Sequence, residues 1–184
     1  LCAKDDITGA DGKVILKADT VIEELATDKE GKLTFTADLP IGFAYYIKET
    51  SPAPGFAMTD ETQEFTFEYG GAEKEKVSYA FTFEDEPTVI EITKTSLTDG
   101  KELEGAKLQV TDESGKVVDS WTSGKEAHII KELVVGQKYT LTETKPADGY
   151  VTAESITFTA KDTAKSQKIE MEDGVSSQFR ISLQ

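Results

Sequence analysis

Cysteine is nearly absent. The 184 residues hold one, Cys2, so no disulfide within the chain can staple its fold. At the start of a strand, such a residue reads as a small buried hydrophobe rather than a reactive thiol. Histidine is equally scarce, and the single His128 has no clustered partner with which to bind metal or run acid–base catalysis. No apolar run approaches the length of a membrane-spanning helix, and no signal-peptide pattern opens the chain, which starts abruptly at Leu1 as a fragment would. Basic residues are outnumbered, 20 Lys and Arg against 35 Asp and Glu, for a formal net charge of −15. That balance argues against nucleic acid as a partner, because phosphate contacts need basic patches. Solubility explains the acidic excess, since no Asp/Asn–Gly loop has the spacing of a calcium site. Sustained helical periodicity is missing as well, and no motif calls for a cofactor.

What the chain has is repetition. Residues 139–150 read YTLTETKPADGY and residues 45–56 read YYIKETSPAPGF, aligned without a gap at an offset of 94 (139 − 45). A period of that size divides the chain into two domains of roughly 90 residues each. A domain so small buries only about 60% of its extended-chain surface and benefits from a staple, which cysteine does not supply here. Short β-branched and aromatic runs recur between turn signals, the signature of an all-β sandwich or barrel. In the first repeat strands are predicted over 13–18, 32–37, 44–50, 63–69 and 76–84. In the second they are predicted over 89–94, 106–112, 116–122, 127–130, 138–144, 155–160 and 166–172. Residues 21–26 read equally as strand or helical turn. The junction at 85–88 is short and contains Pro87, so the neighbouring domains are expected to be stiffly joined.

Alternation assigns faces, because residues i, i+2 and i+4 of a strand point the same way. Tyr139, Leu141 and Glu143 share one face, and Thr140 and Thr142 the other. Ile90, Ile92 and Lys94 share a face, as do Ile169, Met171 and Asp173, and in the first repeat Phe81, Phe83 and Asp85. Each apolar face ends in a charge. Either these charges sit at strand ends and reach water, or they lie inside, where a lone carboxylate is costly and must find partners.

Three stretches in this order, ITKTSLTDGKELEGAKLQVTDESGKVV, YTLTETKPADGY and IEMED, resemble the collagen-adhesin B-type (Cna B-type, SpaA-type pilin) domains of Gram-positive surface proteins and pili. The resemblance covers residues 88–174 almost entirely and 1–87 less completely. It implies two tandem immunoglobulin-like or prealbumin-like β-sandwiches: 1–87, 88–174, and a C-terminal strand in 175–184. It also implies a self-formed amide between a lysine and an Asp side chain, promoted by a glutamate. Carried over, Lys94 is the nucleophile, Asp173 the electrophile and Glu143 the proton shuttle, with Glu49 the equivalent of Glu143 in the first domain. The chemistry needs those residue types. An ammonium cannot attack and a carboxylate resists attack, so the amine must be neutral and the carboxyl protonated, which an apolar enclosure favours. The reaction happens once per molecule and is not turnover.

Aligning LCAKDD with LQVTDE sets Leu1 against Leu108, fourteen residues after Lys94 (108 − 94). The first domain's lysine is therefore expected to precede Leu1, leaving Asp85 as an acceptor without its nucleophile and the sheet without its first strand. Lys4 and Lys17 lie beyond that strand and are poor substitutes. Such an edge invites a strand donated by another segment. Residues 178–184 read as an opening strand, either an extra edge or the start of a further module. Residues 39–42, LPIG, lack the Thr-Gly and apolar tail of a sortase signal. The expected role is a structural stalk in an extracellular, cell wall-attached protein, whose partners are other modules of the same surface protein or pilus. The alternatives are adhesin domains that bind a host extracellular protein or glycan, and a glycoside hydrolase using Glu143 and Asp173 as paired carboxylates.

Overall fold

The computed structural model describes residues 1–71 and 77–176. Regular structure among these residues is entirely β. The chain divides into two compact units, one of Leu1–Ser51 with Thr59–Glu84, the other of Pro52–Met58 with Asp85–Gln184. The turn Pro52–Met58 thus belongs to the second unit, although its sequence comes from the first repeat.

The first unit contains β1 (Cys2–Ala3), β2 (Ile7–Thr8), β3 (Val14–Leu16), β4 (Ala44–Lys48) and β5 (Thr62–Thr66). A three-stranded sheet runs β1-β4-β5, and β2 and β3 form a hairpin of their own. Leu1, Ala3, Ile7 and Tyr45 make the buried centre, with Phe35, Phe65 and Phe67 packed around it. Cys2 is buried, as a small hydrophobe is expected to be.

The second unit adds β6 (Val89–Ser96), β7 (Lys107–Asp112), β8 (Val117–Thr122), β9 (His128–Lys131), β10 (Lys138–Lys145), β11 (Ile156–Thr159) and β12 (Gln167–Asp173). Two sheets form, β11-β10-β7-β8 and β12-β6-β9. Ile90, Ile92, Leu108, Val110, Leu141 and Met171 are buried in one cluster. These are the inward positions of alternating strands, as a two-sheet sandwich requires. The first and last strands are neighbours and run parallel, with Ile92 opposite Ile169, Lys94 opposite Met171 and Ser96 opposite Asp173. Parallel neighbours need a long crossover, and here the whole domain between them is the crossover.

In the first unit the order β1-β4-β5 repeats β7-β10-β11, but the register differs from the alignment. Ala3 pairs with Tyr45 as Asp112 pairs with Tyr139. Ala3 therefore stands at the place of Asp112 (112 − 3 = 109), two residues further along than the sequence match (108 − 1 = 107). A shift of two keeps every side chain on its face, and the place of Lys94 still falls before Leu1.

Two predicted strands are not strands in the structure. Residues 32–37 carry no ladder, and neither do 77–84, the described part of 76–84. Their counterparts in the second repeat are β9 and β12, and both of those pair only with β6. Without a β6 counterpart among the described residues, these segments have no strand to pair with, and the Thr36 and Ala37 N–H groups donate instead to Glu23 Oε2. Their faces persist: Phe81, Phe83 and Asp85 are half-buried while Thr82 and Glu84 are exposed. In 21–26 the sole ladder contact is an isolated bridge from Val21 to Cys2. The strand expected in 178–184 lies outside the described residues.

Candidate functional site: a buried lysine between two carboxylates

Lys94 is the sixth residue of β6, on the face of Ile90 and Ile92, and is buried with them. Asp173 ends β12 and is buried beyond Met171, while Glu143 lies on β10 in the facing sheet, buried in line with Tyr139 and Leu141. The three converge. Lys94 Nζ donates to Asp173 Oδ1 and lies 3.1 Å from Glu143 Oε1, at ion-pair distance. The parallel register explains the reach: Lys94 faces Met171 on β12, and Asp173 is the next residue on the same face. A β-bulge breaks the pairing of β10 with β7 between Glu143 and Lys145, the kind of irregularity that re-aims a side chain beside a site.

The environment is dry. Side-chain exposure is 2% for Lys94 and zero for both carboxylates. Burial raises the Asp173 carboxyl above its ordinary value, against the opposing pull of the hydrogen bond and charge of Lys94; the nearby Glu143 charge adds to the rise. Asp173 Oδ2 is buried without a hydrogen bond among the described residues. Glu143 is held from behind, because its Oε2 accepts the Ala153 N–H at 2.8 Å. Ala153 escapes sequence reading altogether, since its contribution is a backbone amide that any residue would supply. Glu102 is a further neighbour, acting through its side chain: its Oε2 accepts the Lys94 N–H at 3.3 Å.

Such a cluster can condense an amine with a carboxyl, and it leaves no open cleft for a sugar and a water. The hydrolase reading fails on that ground. Elsewhere, Glu49 follows β4 in the first unit and Asp85 opens the second stretch of the second unit, and both are half-buried. Lys4 bonds Glu64 at the surface, and Lys17 Nζ lies 3.1 Å from Asp6 Oδ2, also exposed. His128 has partners that linear spacing hid. Its ring stacks on Trp121 with centroids 4.0 Å apart, and Nε2 lies 2.8 Å from Asp119 Oδ2.

The second unit is thus a two-sheet domain whose first and last strands meet at a buried Lys–Asp contact overseen by a glutamate. The family model described as SpaA, prealbumin-like fold domain, matches residues 3–80 and again 88–175, and the chain belongs to that family. Among solved structures, the Bacillus anthracis TIE protein is 27% identical, with a TM-score of 0.54, covering 81% of this chain and 28% of that one. The shaft pilin SpaA of Lactobacillus rhamnosus GG is 18% identical, with a TM-score of 0.45, covering 84% of this chain and 68% of that one. BcpA, the major pilin subunit of Bacillus cereus, is 23% identical with a TM-score of 0.42, covering 49% and 31% respectively. This chain therefore spans little more than a quarter of the TIE protein it matches. No curated protein sequence matches it.

Proposed function

We propose that the chain is a stretch of stalk from a Gram-positive cell-surface or pilus protein, extracellular and cell wall-attached, whose second domain ties itself with an amide between Lys94 and Asp173. The buried cluster is the observation that supports this reading. With the amine neutral and the carboxyl protonated, Lys94 Nζ attacks Asp173 Cγ. Glu143 takes a proton from the amine and delivers it to the departing hydroxyl. The C–N bond forms, the C–O bond breaks and one water leaves. Enclosure keeps the reacting pair in contact, which supplies much of the effective molarity.

The product closes a loop over a sequence separation of 79 residues. By the loop-entropy estimate used for disulfides, that contributes about 4–5 kcal/mol. It needs no oxidising compartment. Intact mass is the test: the mature protein is expected to be one water lighter than its sequence, with Lys94 and Asp173 in one cross-linked tryptic product. A full sequence mass with a free amine and a free carboxyl would overturn the proposal.

In the first domain, a strand from outside residues 1–87 that brings a lysine to Asp85 is the donor we propose. The stalk reading is preferred to host binding because the loops carry no cluster of free aromatics among the described residues. Tyr79, for example, packs its ring on Phe65 with centroids 4.9 Å apart.

A further inference from the structure

Inside the second unit, the turn Pro52–Met58 is fastened to residues 86–88 by three links. The Ala57 N–H donates to Glu86 O at 2.9 Å, the Thr88 N–H donates to Gly55 O at 2.9 Å, and Phe56 and Pro87 form a bridge. The second repeat makes the same three links further along. The Val151 N–H donates to Gly174 O at 3.0 Å, the Ser176 N–H donates to Gly149 O at 2.9 Å, and Tyr150 and Val175 form the bridge. The backbone design is one design used twice.

What lies on top differs. Gly55 and Gly149 share the left-handed conformation, with φ of 92° and 89°. A Cβ on Gly55 would meet Glu132 O at 2.6 Å, whereas one on Gly149 would meet nothing within 4 Å. Ala57 is 6% exposed, but its counterpart Val151 is 49% exposed. Thr88 is buried and Ser176 exposed; Pro87 is half-buried and Val175 is 55% exposed. The cover over the first copy has a definite composition. The Glu132 N–H donates to Thr88 O at 3.1 Å, Thr88 Oγ1 donates to Leu133 O at 2.7 Å, and the Met58 N–H donates to Asp162 Oδ1 at 2.7 Å. All three come from the turns after β9 and β11.

We propose that Gly149, Val151, Val175 and Ser176 form a seat for a further domain of this same family, which would meet it with the turns after its own counterparts of β9 and β11. A single exposed valine needs no explanation. Two on one turn-and-strand end, whose other copy is buried at Gly55, Ala57 and Thr88, point to a cover of the same kind. The glycine is essential on both counts: it supplies the positive φ and lets a backbone carbonyl approach to contact. This goes beyond the stalk reading, since it names the surface by which one module registers on the next. It does not depend on the amide between Lys94 and Asp173, so mass and seating are read separately.

The test compares the 184-residue chain with an extended chain in which Val175 is followed directly by a second copy of residues 88–184. Both carry Val151→Cys, and thiol labelling is followed; the native Cys2 is buried. In the extended chain the labelling rate should fall by about tenfold or more, as expected for a group that must wait for local opening. Val118→Cys, exposed on β8, should label equally in both, which shows that the slowing is confined to the seat and is not a general loss of thiol access. In addition, Gly149→Ala should restore fast labelling of Val151→Cys in the extended chain. Equal labelling of Val151→Cys in both chains would overturn the proposal. So would concentration-dependent protection in the unextended chain, because it would assign the surface to self-association.

Discussion

Lys94 is a buried amine whose two nearest acids sit on different sheets, and removing it strands both. In Lys94→Ala the amide cannot form, and Asp173 keeps the burial that raises its carboxyl while losing the cation that opposed the rise. A carboxyl raised in the folded state favours folding below its unfolded value, near 3.8, and that contribution is lost as pH climbs through the raised folded value. Lys94→Ala should therefore be more stable to urea at about pH 4 than at about pH 7. The double variant Lys94→Ala/Asp173→Asn, which has nothing to titrate there, should show much less of that slope. Equal slopes in the two variants would mean that Asp173 is not the titrating group. Glu143→Ala should leave Lys94 and Asp173 in contact yet unbonded, and the intact mass should equal the full sequence. Full loss of water in Glu143→Ala would remove the glutamate from the mechanism.

At the scale of elements, the strands that carry the cluster were legible because period-two alternation and a terminal charge coincide. Ile90-x-Ile92-x-Lys94, Tyr139-x-Leu141-x-Glu143 and Met171-x-Asp173 all fold with those residues inward. Alternation could not reveal whether a strand would find a neighbour. Residues 32–37 and 77–84 have the pattern but no ladder, because the pairing that makes β9 and β12 into strands is supplied by β6 alone. The Ala153 amide behind Glu143 and the stacking of His128 on Trp121 were equally illegible, since they depend on which chains lie side by side. The same logic gives a prediction. A synthetic peptide with the sequence of residues 88–108 should pair with the first repeat's final segment and couple the lysine that corresponds to Lys94, rather than those corresponding to Lys101 or Lys107, to Asp85, adding its mass less one water. Asp85→Ala is the control. No adduct, or the same adduct with Asp85→Ala, would remove the strand-donor proposal.

For the whole chain, the second domain's cohesion should rest on its tie. Lys94→Ala should lower its unfolding free energy by several kcal/mol, about 4–5 from the lost loop closure with a further cost for leaving a buried carboxyl without its partner. Calorimetry would resolve this as a drop in the second domain's Tm. A Tm unchanged from the parent would show that the tie is absent or carries no stability. The parallel run of β12 beside β6 has a consequence for length. A pull on the two ends of that domain loads the rungs of one ladder together instead of opening them in turn. Once Lys94 and Asp173 are bonded, residues 95–172 lie outside the loaded path. Unravelled, those residues would amount to about 270 Å of slack at the extended-chain rise. Stretched at constant force, the bonded domain should show no extension step of that size, and Lys94→Ala should show it in full.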